Sequence, residues 1–251
     1  MADEVTIIGT PVSPFVRKVL ALLELKKVSY KIDPVVAFYT DEEFLKVNPL
    51  RRIPVLLHDG NTIIDSSVIA AYIEEAFPTP SMFPSAPGDR ATARWLEEFS
   101  DTRMADIFLW KCFGSVVLKP GLWNEKRDVK AYREALAGPV VEIMDYLETI
   151  APDDGFLFGD VGLGDISIAI IFWNMQVARW KPDPEQWPKA AAWIARTEAH
   201  PALARSTEWA TALIKTPVPE QRDLAAEIGV PVTGETYLRA IEPTRGPMSL
   251  F

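Results

Sequence analysis

Apolar positions fall into two different rhythms along this chain. Over the first 77 residues short apolar runs alternate with helical spacing. "EVTIIG" is a brief β-rich run ending at Gly9, after which Val16, Val19, Leu20 and Leu23 recur at i, i+3, i+4 and i+7. That spacing predicts a helix with one apolar stripe and with Arg17 and Lys18 away from it. "VSYKIDPV" reads as a second strand, and "TDEEFLKVN", after a loop, as a helix. In "IPVLLHDGNTIIDS" two apolar runs flank Asp59-Gly60, a dipeptide suited to a two-residue hairpin turn. "SSVIAAYIEEAF" closes the unit as a helix. The resulting order, strand–helix–strand–helix–strand–strand–helix, predicts a mixed α/β sheet with helices packed on it.

The stretch "PTPSMFPSAPGD" then places four prolines and one glycine within residues 78–89, which predicts a domain boundary. Beyond it helical spacing takes over. "RATARWLEEFSDTRMADIFLWKCF", "KAYREALAGPVVEIMDYLETI", "GDISIAIIFWNMQVARW" and "PKAAAWIARTEAHPALARSTEWATALI" all read as helices, so the second domain is expected to be all-α. Ile166 to Val177 is apolar almost all round and is expected at the centre of that bundle. The expected organisation is residues 1–78, a linker over 79–89, a helical domain over 90–215 and a C-terminal extension over 216–251. The extension carries one weak helix near "EQRDLAAEIG" and spaces Pro217, Pro219, Pro231, Pro243 and Pro247 among Ile228, Tyr237, Leu238 and Ile241. It is too apolar for a solvated linker and is expected to dock.

Composition narrows the function. With 48% hydrophobic and 24% charged residues among 251, the chain builds an ample core. A net charge of −9 argues against general attraction to nucleic acid or an anionic membrane. The single Cys112 excludes an internal disulfide, and with only His58 and His200 no metal-ligand spacing is present. The N-terminus "MADEVTII" does not read as a signal peptide, and "ISIAIIFW" is too short to span a bilayer, so a cytosolic protein is expected.

Ser13 and Pro14 stand at the seam between the first strand and the first helix. Their simplest role is a helix cap, with Ser satisfying free N–H groups and Pro at the first helical position. Asp65, Ser66 and Ser67 open the later helix "SSVIAAYIEE", where capping needs only one of them.

In combination, "SPFVRKVLALLE", "NPLRRIPVLLHDGNTIIDSSVIAAYIEEAFP" and "FLFGDVGLGDISIAIIFW" resemble a cytosolic glutathione transferase, over residues 5 to about 212 in the family's order. The serine in "SPF" is most similar to the plant tau-type and related bacterial members. One departure stands out: Gly162 occupies the N-cap, three residues before Asp165, where the family has Ser or Thr, and a weaker cap is expected.

The resemblance implies a thioredoxin-like N-terminal domain, a helical-bundle C-terminal domain and a homodimer. It also implies glutathione as co-substrate, with its sulfur at the start of the first helix and Ser13 donating to it. A free thiol with a pKa of about 8.5 is only roughly 3% thiolate at neutral pH, and lowering it by about 2 units takes roughly 2.7 kcal/mol. On the same resemblance Phe15 adjoins the tripeptide. Pro54 is cis, so that Ile53 pairs with the tripeptide backbone as an added strand. Arg52 meets the glycyl carboxylate, Ser66 binds the γ-glutamyl carboxylate, and Asp65 accepts from the α-amino group. The electrophile site of the family lies between the domains; Val12, Phe108, Trp110, Phe113 and Trp209 are candidates to line it, each also a candidate for plain core. Cys112 is a further candidate there, and Asp101 is one for reaching the amine across a dimer. Two functions compete: an enzyme activating glutathione toward an apolar electrophile, a peroxide, an ether or a halide, and a non-catalytic module on the same fold. Four intact contacts, Ser13, Pro54, Asp65 and Ser66, favour the enzyme. Mixed-disulfide reductase chemistry is disfavoured, because it needs a thiolate where this chain has Ser13.

Overall fold

A computed structural model describes residues 4–240 and 242–245. Ile241 and Pro247, two of the tail residues named above, lie outside the described residues. By internal contact the chain forms two units, residues 1–81 with 201–251, and residues 82–200.

In the first unit, among the described residues, four strands form one sheet: β1 (Val5–Ile8), β2 (Tyr30–Asp33), β3 (Val55–His58) and β4 (Asn61–Ile64). Their order is β2-β1-β3-β4, with β1 parallel to β2 and antiparallel to β3. β3 and β4 form the expected hairpin, His58 facing Asn61, and Asp59 and Gly60 both take the positive φ that the tight turn requires. The register aligns Asp33, Ile8, Val55 and Ile64 in one row across the sheet. Helices α1 (Pro14–Leu25) and α2 (Ser66–Ala76) complete the expected alternation. "TDEEFLKVN" is not an α-helix but a tight 3-10 turn over Glu42–Lys46, preceded by another at Ala37–Tyr39. Asp41 accepts from the Glu43 and Phe44 N–H groups, and Phe44 alone is buried, so nothing anchors a second turn.

α1 departs from the one-stripe expectation, for Arg17 and Lys18 are both fully buried. The reason is that α1 packs against α2 on one side and against a helix from residues Pro201–Leu213 on another. Local pattern assigns that helix to the bundle, whereas it belongs to the first unit.

The second unit is helical. It comprises α3 (Pro87–Phe99), α4 (Lys119–Trp123), α5 (Val129–Ala137), α6 (Pro139–Ile150), α7 (Leu163–Ala169), α8 (Phe172–Val177) and α9 (Pro188–Glu198). Between α3 and α4 the rod continues through Ser100–Leu118 in wide turns, the Lys119 N–H reaching the Gly114 carbonyl five residues back. α7 and α8 occupy the core as expected, with Ile166, Ile168, Ile171, Phe172 and Met175 all buried. Asp165 is buried beneath α7, accepting from Leu157 N–H at 3.0 Å, Gly162 N–H at 3.1 Å and Trp193 Nε1 at 2.8 Å. Burial pushes its carboxyl upward while these three donors pull it back.

The chain returns to the first unit with α10 (Pro201–Leu213) and α11 (Gln221–Glu227). The tail then docks on the sheet edge. Ile32 N–H donates to the Pro231 carbonyl at 2.8 Å and Thr233 N–H to the Ile32 carbonyl at 3.0 Å, adding a short parallel bridge beside β2.

Gly162 has a spatial explanation. Its backbone is extended, so any residue could adopt it, but a Cβ there would stand 2.8 Å from the Met82 carbonyl oxygen. That oxygen accepts the Leu163 N–H at 3.0 Å and so satisfies a donor of the α7 N-terminus. By sequence alone Gly162→Ser adds a cap of about 1 kcal/mol. The structure instead predicts destabilisation by roughly 1–3 kcal/mol, because a side chain must push backbone aside. Denaturant unfolding distinguishes the two, and a more stable variant would contradict the close contact.

Candidate functional site

Three loops leave the sheet beside the Asp33–Ile8–Val55–Ile64 row. Gly9 follows Ile8 and leads to Ser13, Pro54 precedes Val55, and Asp65 follows Ile64. Because β3 runs antiparallel to both neighbours, its start meets their ends. The N-termini of α1 and α2 and the Ile53–Pro54 peptide therefore gather at one edge.

The first loop is tightly held. Gly9 has φ +149, and a Cβ on it would lie 2.5 Å from Val16 Cγ2 and 3.1 Å from Ile53 Cβ. Only glycine lets α1 come this close to Ile53. Gly9 N–H donates to the Asp33 carbonyl at 2.8 Å, Thr10 N–H to the Val35 carbonyl at 2.7 Å and Ser13 N–H to the Thr10 carbonyl at 3.0 Å. The buried Arg17 reaches back, its Nη1 donating to the Pro11 and Val12 carbonyls at 2.7 and 3.0 Å. The polar loop thus finds its partners without the Ser13 hydroxyl. Ser13 occupies the N-cap of α1, half-buried and extended, yet its side chain makes no cap hydrogen bond. The simple capping explanation does not account for it.

Asp65 is the N-cap of α2, with φ +75, and its carboxylate accepts the Ser67 N–H at 3.0 Å. Capping is therefore done by the exposed aspartate, and Ser66, 6% exposed, is not needed for it. The Ile53–Pro54 peptide is cis. Pro54 is buried, Ile53, Phe15 and Val12 are half-buried, and Arg52 is exposed, its carbonyl accepting from Asn48 Nδ2 at 2.8 Å.

The remaining candidates lie elsewhere. In the helical unit Phe108 is fully buried, edge-on to Phe172 with ring centres 5.3 Å apart and tilted against Trp180 at 6.0 Å. Phe113 is buried and Trp110 half-buried on the same wide-turned segment, where Asp101 is half-buried near the start. Cys112 is buried, and burial pushes its thiol up to about 12, so it stays protonated at neutral pH. In the first unit Trp209 is buried on α10 with the Arg205 guanidinium 4.9 Å above its ring. His58 lies at the hairpin end of β3, away from Ser13, its Nδ1 2.8 Å from the Tyr72 hydroxyl. Among the described residues no group of three or more His, Cys, Asp or Glu is arranged to hold a metal ion, and no helix is long and apolar enough to cross a membrane.

Gly9, Arg17 and Asp33 shape this edge, and sequence reasoning misses all three. For Arg17 a signal is present: "VRKVLALL" has apolar residues all round a helix, so its two cations have to be buried with them. Asp33 offers none, because its side-chain partners lie near residues 222–237.

Residues 7–81 match the model of the glutathione S-transferase N-terminal domain, and residues 130–196 that of the C-terminal domain. A probable glutathione S-transferase from Nicotiana tabacum is 31% identical over 180 residues, covering 68% of this chain and 71% of the relative. Glutathione S-transferase U13 from Arabidopsis thaliana is 30% identical over 219 residues, covering 80% and 89%. Among solved structures, a glutathione S-transferase from Rhodospirillum rubrum F11 superposes with a TM-score of 0.74 at 26% identity, covering 88% of this chain and 99% of that one. A tau class enzyme from mango shares the fold, with a TM-score of 0.65 at 23% identity. With its thioredoxin-like sheet, its helical second unit and these relatives, the chain belongs to the glutathione S-transferase family.

Proposed function

We propose that the protein is a serine-type, tau-like glutathione transferase that activates the thiol of glutathione for attack on an apolar electrophile. The observation that carries this reading is the gathering of the Ser13, Ile53–Pro54 and Asp65–Ser66 loops at one sheet edge, with the Ser13 hydroxyl unused by its own helix.

In this reading the γ-glutamyl end lies at the N-terminus of α2. Ser66 donates to its carboxylate, the partial positive charge of the helix end adds to the attraction, and Asp65 accepts from the α-amino group. Ile53 pairs with the peptide backbone, Arg52 meets the glycyl carboxylate and Phe15 packs alongside. The sulfur then faces the start of α1. Ser13 donates its hydroxyl hydrogen to the thiolate, and the helix dipole favours the same charge. The thiol proton passes to solvent, the sulfur lone pair forms a bond to the electrophilic carbon, and the displaced group leaves with its electron pair. Ser13 is neither base nor covalent nucleophile here, since neither histidine is placed in this loop cluster. Glutathione-bound relatives of the same fold, such as a transferase homologue from Drosophila mojavensis, support the choice of tripeptide.

A cytosolic homodimer is part of the reading. An exposed aromatic patch on the helical unit supports the dimer: Trp95, 53% exposed, lies beside Phe99 and donates through Nε1 to the Tyr146 hydroxyl at 2.9 Å.

Ser13→Ala is expected to slow conjugation at neutral pH by about 10- to 100-fold, the worth of a charge-assisted hydrogen bond, while glutathione affinity stays within a few-fold. Rates unchanged across pH 6 to 8 would remove Ser13 from the mechanism. Ser66→Ala is expected to weaken glutathione binding by about 1.5 to 3 kcal/mol, because the bound carboxylate loses a donor. Calorimetric titration measures this directly, and equal affinities would reject the assignment.

A further inference from the structure

We propose that residues 231–240 act as a strap that positions the glutathione-binding edge, with Asp33 as anchor and Tyr237 as wedge; this rests on the glutathione reading above. The strap is fastened at one buried carboxylate. Asp33 ends β2, with its side chain 3% exposed, and accepts from Arg222 Nη1 at 2.9 Å, Thr236 Oγ1 at 2.7 Å and Tyr237 N–H at 2.7 Å. Arg222 also donates to the Thr233 carbonyl, which ties α11 to the strap. Three distant parts of the chain therefore share one charge.

Covering the β2 edge explains residues 231–233, since an open strand edge invites pairing with other chains. Residues 237–240 serve a different end. Tyr237 and Leu238 turn onto the core cluster of Ile8, Val35, Phe44 and Val55, against which Val47, Ile53 and Ile64 also pack. The Tyr237 ring meets Phe44 edge-on at 5.8 Å, and Ala240 N–H donates to the Tyr39 carbonyl at 3.0 Å. Ile53 and Ile64 are the residues just before Pro54 and Asp65. The wedge thus fills the cluster on which two of the three site loops rest.

Residues 37–46 consist of two short 3-10 turns, and their anchorage is Phe44 and the strap. From there the Asn48 side chain spans the Leu50 N–H at 2.9 Å and the Arg52 carbonyl at 2.8 Å. Loss of the wedge leaves a void between Phe44 and Ile53, and the displacement runs through Asn48 to Arg52. Asp33, Arg222 and Tyr237 are positioning residues. None of them need touch the substrate.

The test compares the full chain with a chain ending at Val230 and with Tyr237→Ala and Tyr237→Phe. Ending at Val230 keeps α11 and the buried Ala225 and Val230 in place. Glutathione affinity is read by calorimetry, Michaelis constants with glutathione and chlorodinitrobenzene, and local order by amide hydrogen exchange. Truncation and Tyr237→Ala are expected to weaken glutathione binding about ten-fold and raise its Michaelis constant, leaving that for the aryl halide within about two-fold. Exchange should accelerate over residues 37–54 and stay unchanged over 82–200, and Tyr237→Phe, which keeps the ring, should behave as the parent. Unchanged glutathione affinity on truncation, or exchange that rises equally in both units, would overturn the strap. Failure of the parent itself to bind glutathione would overturn the functional reading and the inference together.

Discussion

The antiparallel pairing of β3 with β1, Val55 opposite Ile8, is the constraint that assembles the site. A strand's side chains alternate faces, so a slip of one residue would turn Val55 and Leu56 over and carry Pro54 out of the row. The hairpin turn at Asp59-Gly60 fixes the partner register, and Ile64 then falls opposite Val55. With both registers set, the Ser13, Pro54 and Asp65 loops have to emerge side by side. Gly9 completes the arrangement, because a side chain of any size there would drive α1 away from Ile53.

Buried charge serves as the fastening elsewhere, and in each case it holds irregular backbone. Arg17 bonds the carbonyls of the loop before α1, Lys26 donates to the Phe77 and Pro80 carbonyls while paired with Glu74 at 2.8 Å, and Asp165 gathers three donors beneath α7. Turns lack the repeating bonds of helices and strands, so their buried polar groups must find side-chain partners. A charged partner makes the stronger bond and a costlier loss. Loops that would otherwise wander are in this way fixed to the core, and the site is built on such loops.

Much of this is legible in the sequence, and the rest is hidden for a physical cause. The strand–helix order, the hairpin and the central helices α7 and α8 come from periodicity and turn chemistry, which are local. The cluster of Ser13, Pro54, Asp65 and Ser66 is legible through its resemblance to a family, although not the fact that Asp65 does the capping. Arg17 and Lys18 read as surface residues because α10, far along the chain at Pro201–Leu213, supplies the cover that buries them. The Gly162 departure reads as a weak cap because the Met82 carbonyl that fills the space is invisible to local pattern. Asp33 looks ordinary for the same reason.

Stabilising a thiolate is the task this edge must perform if the protein is to activate glutathione. The pKa of the glutathione thiol in the complex reports on that task without intermediate steps, and the ultraviolet absorbance of the thiolate follows it across a pH titration. A value near 6.5 is expected, about 2 units below the free thiol. A bound thiol that still titrates at about 8.5 would contradict thiolate stabilisation at this edge, whatever the affinity for the tripeptide.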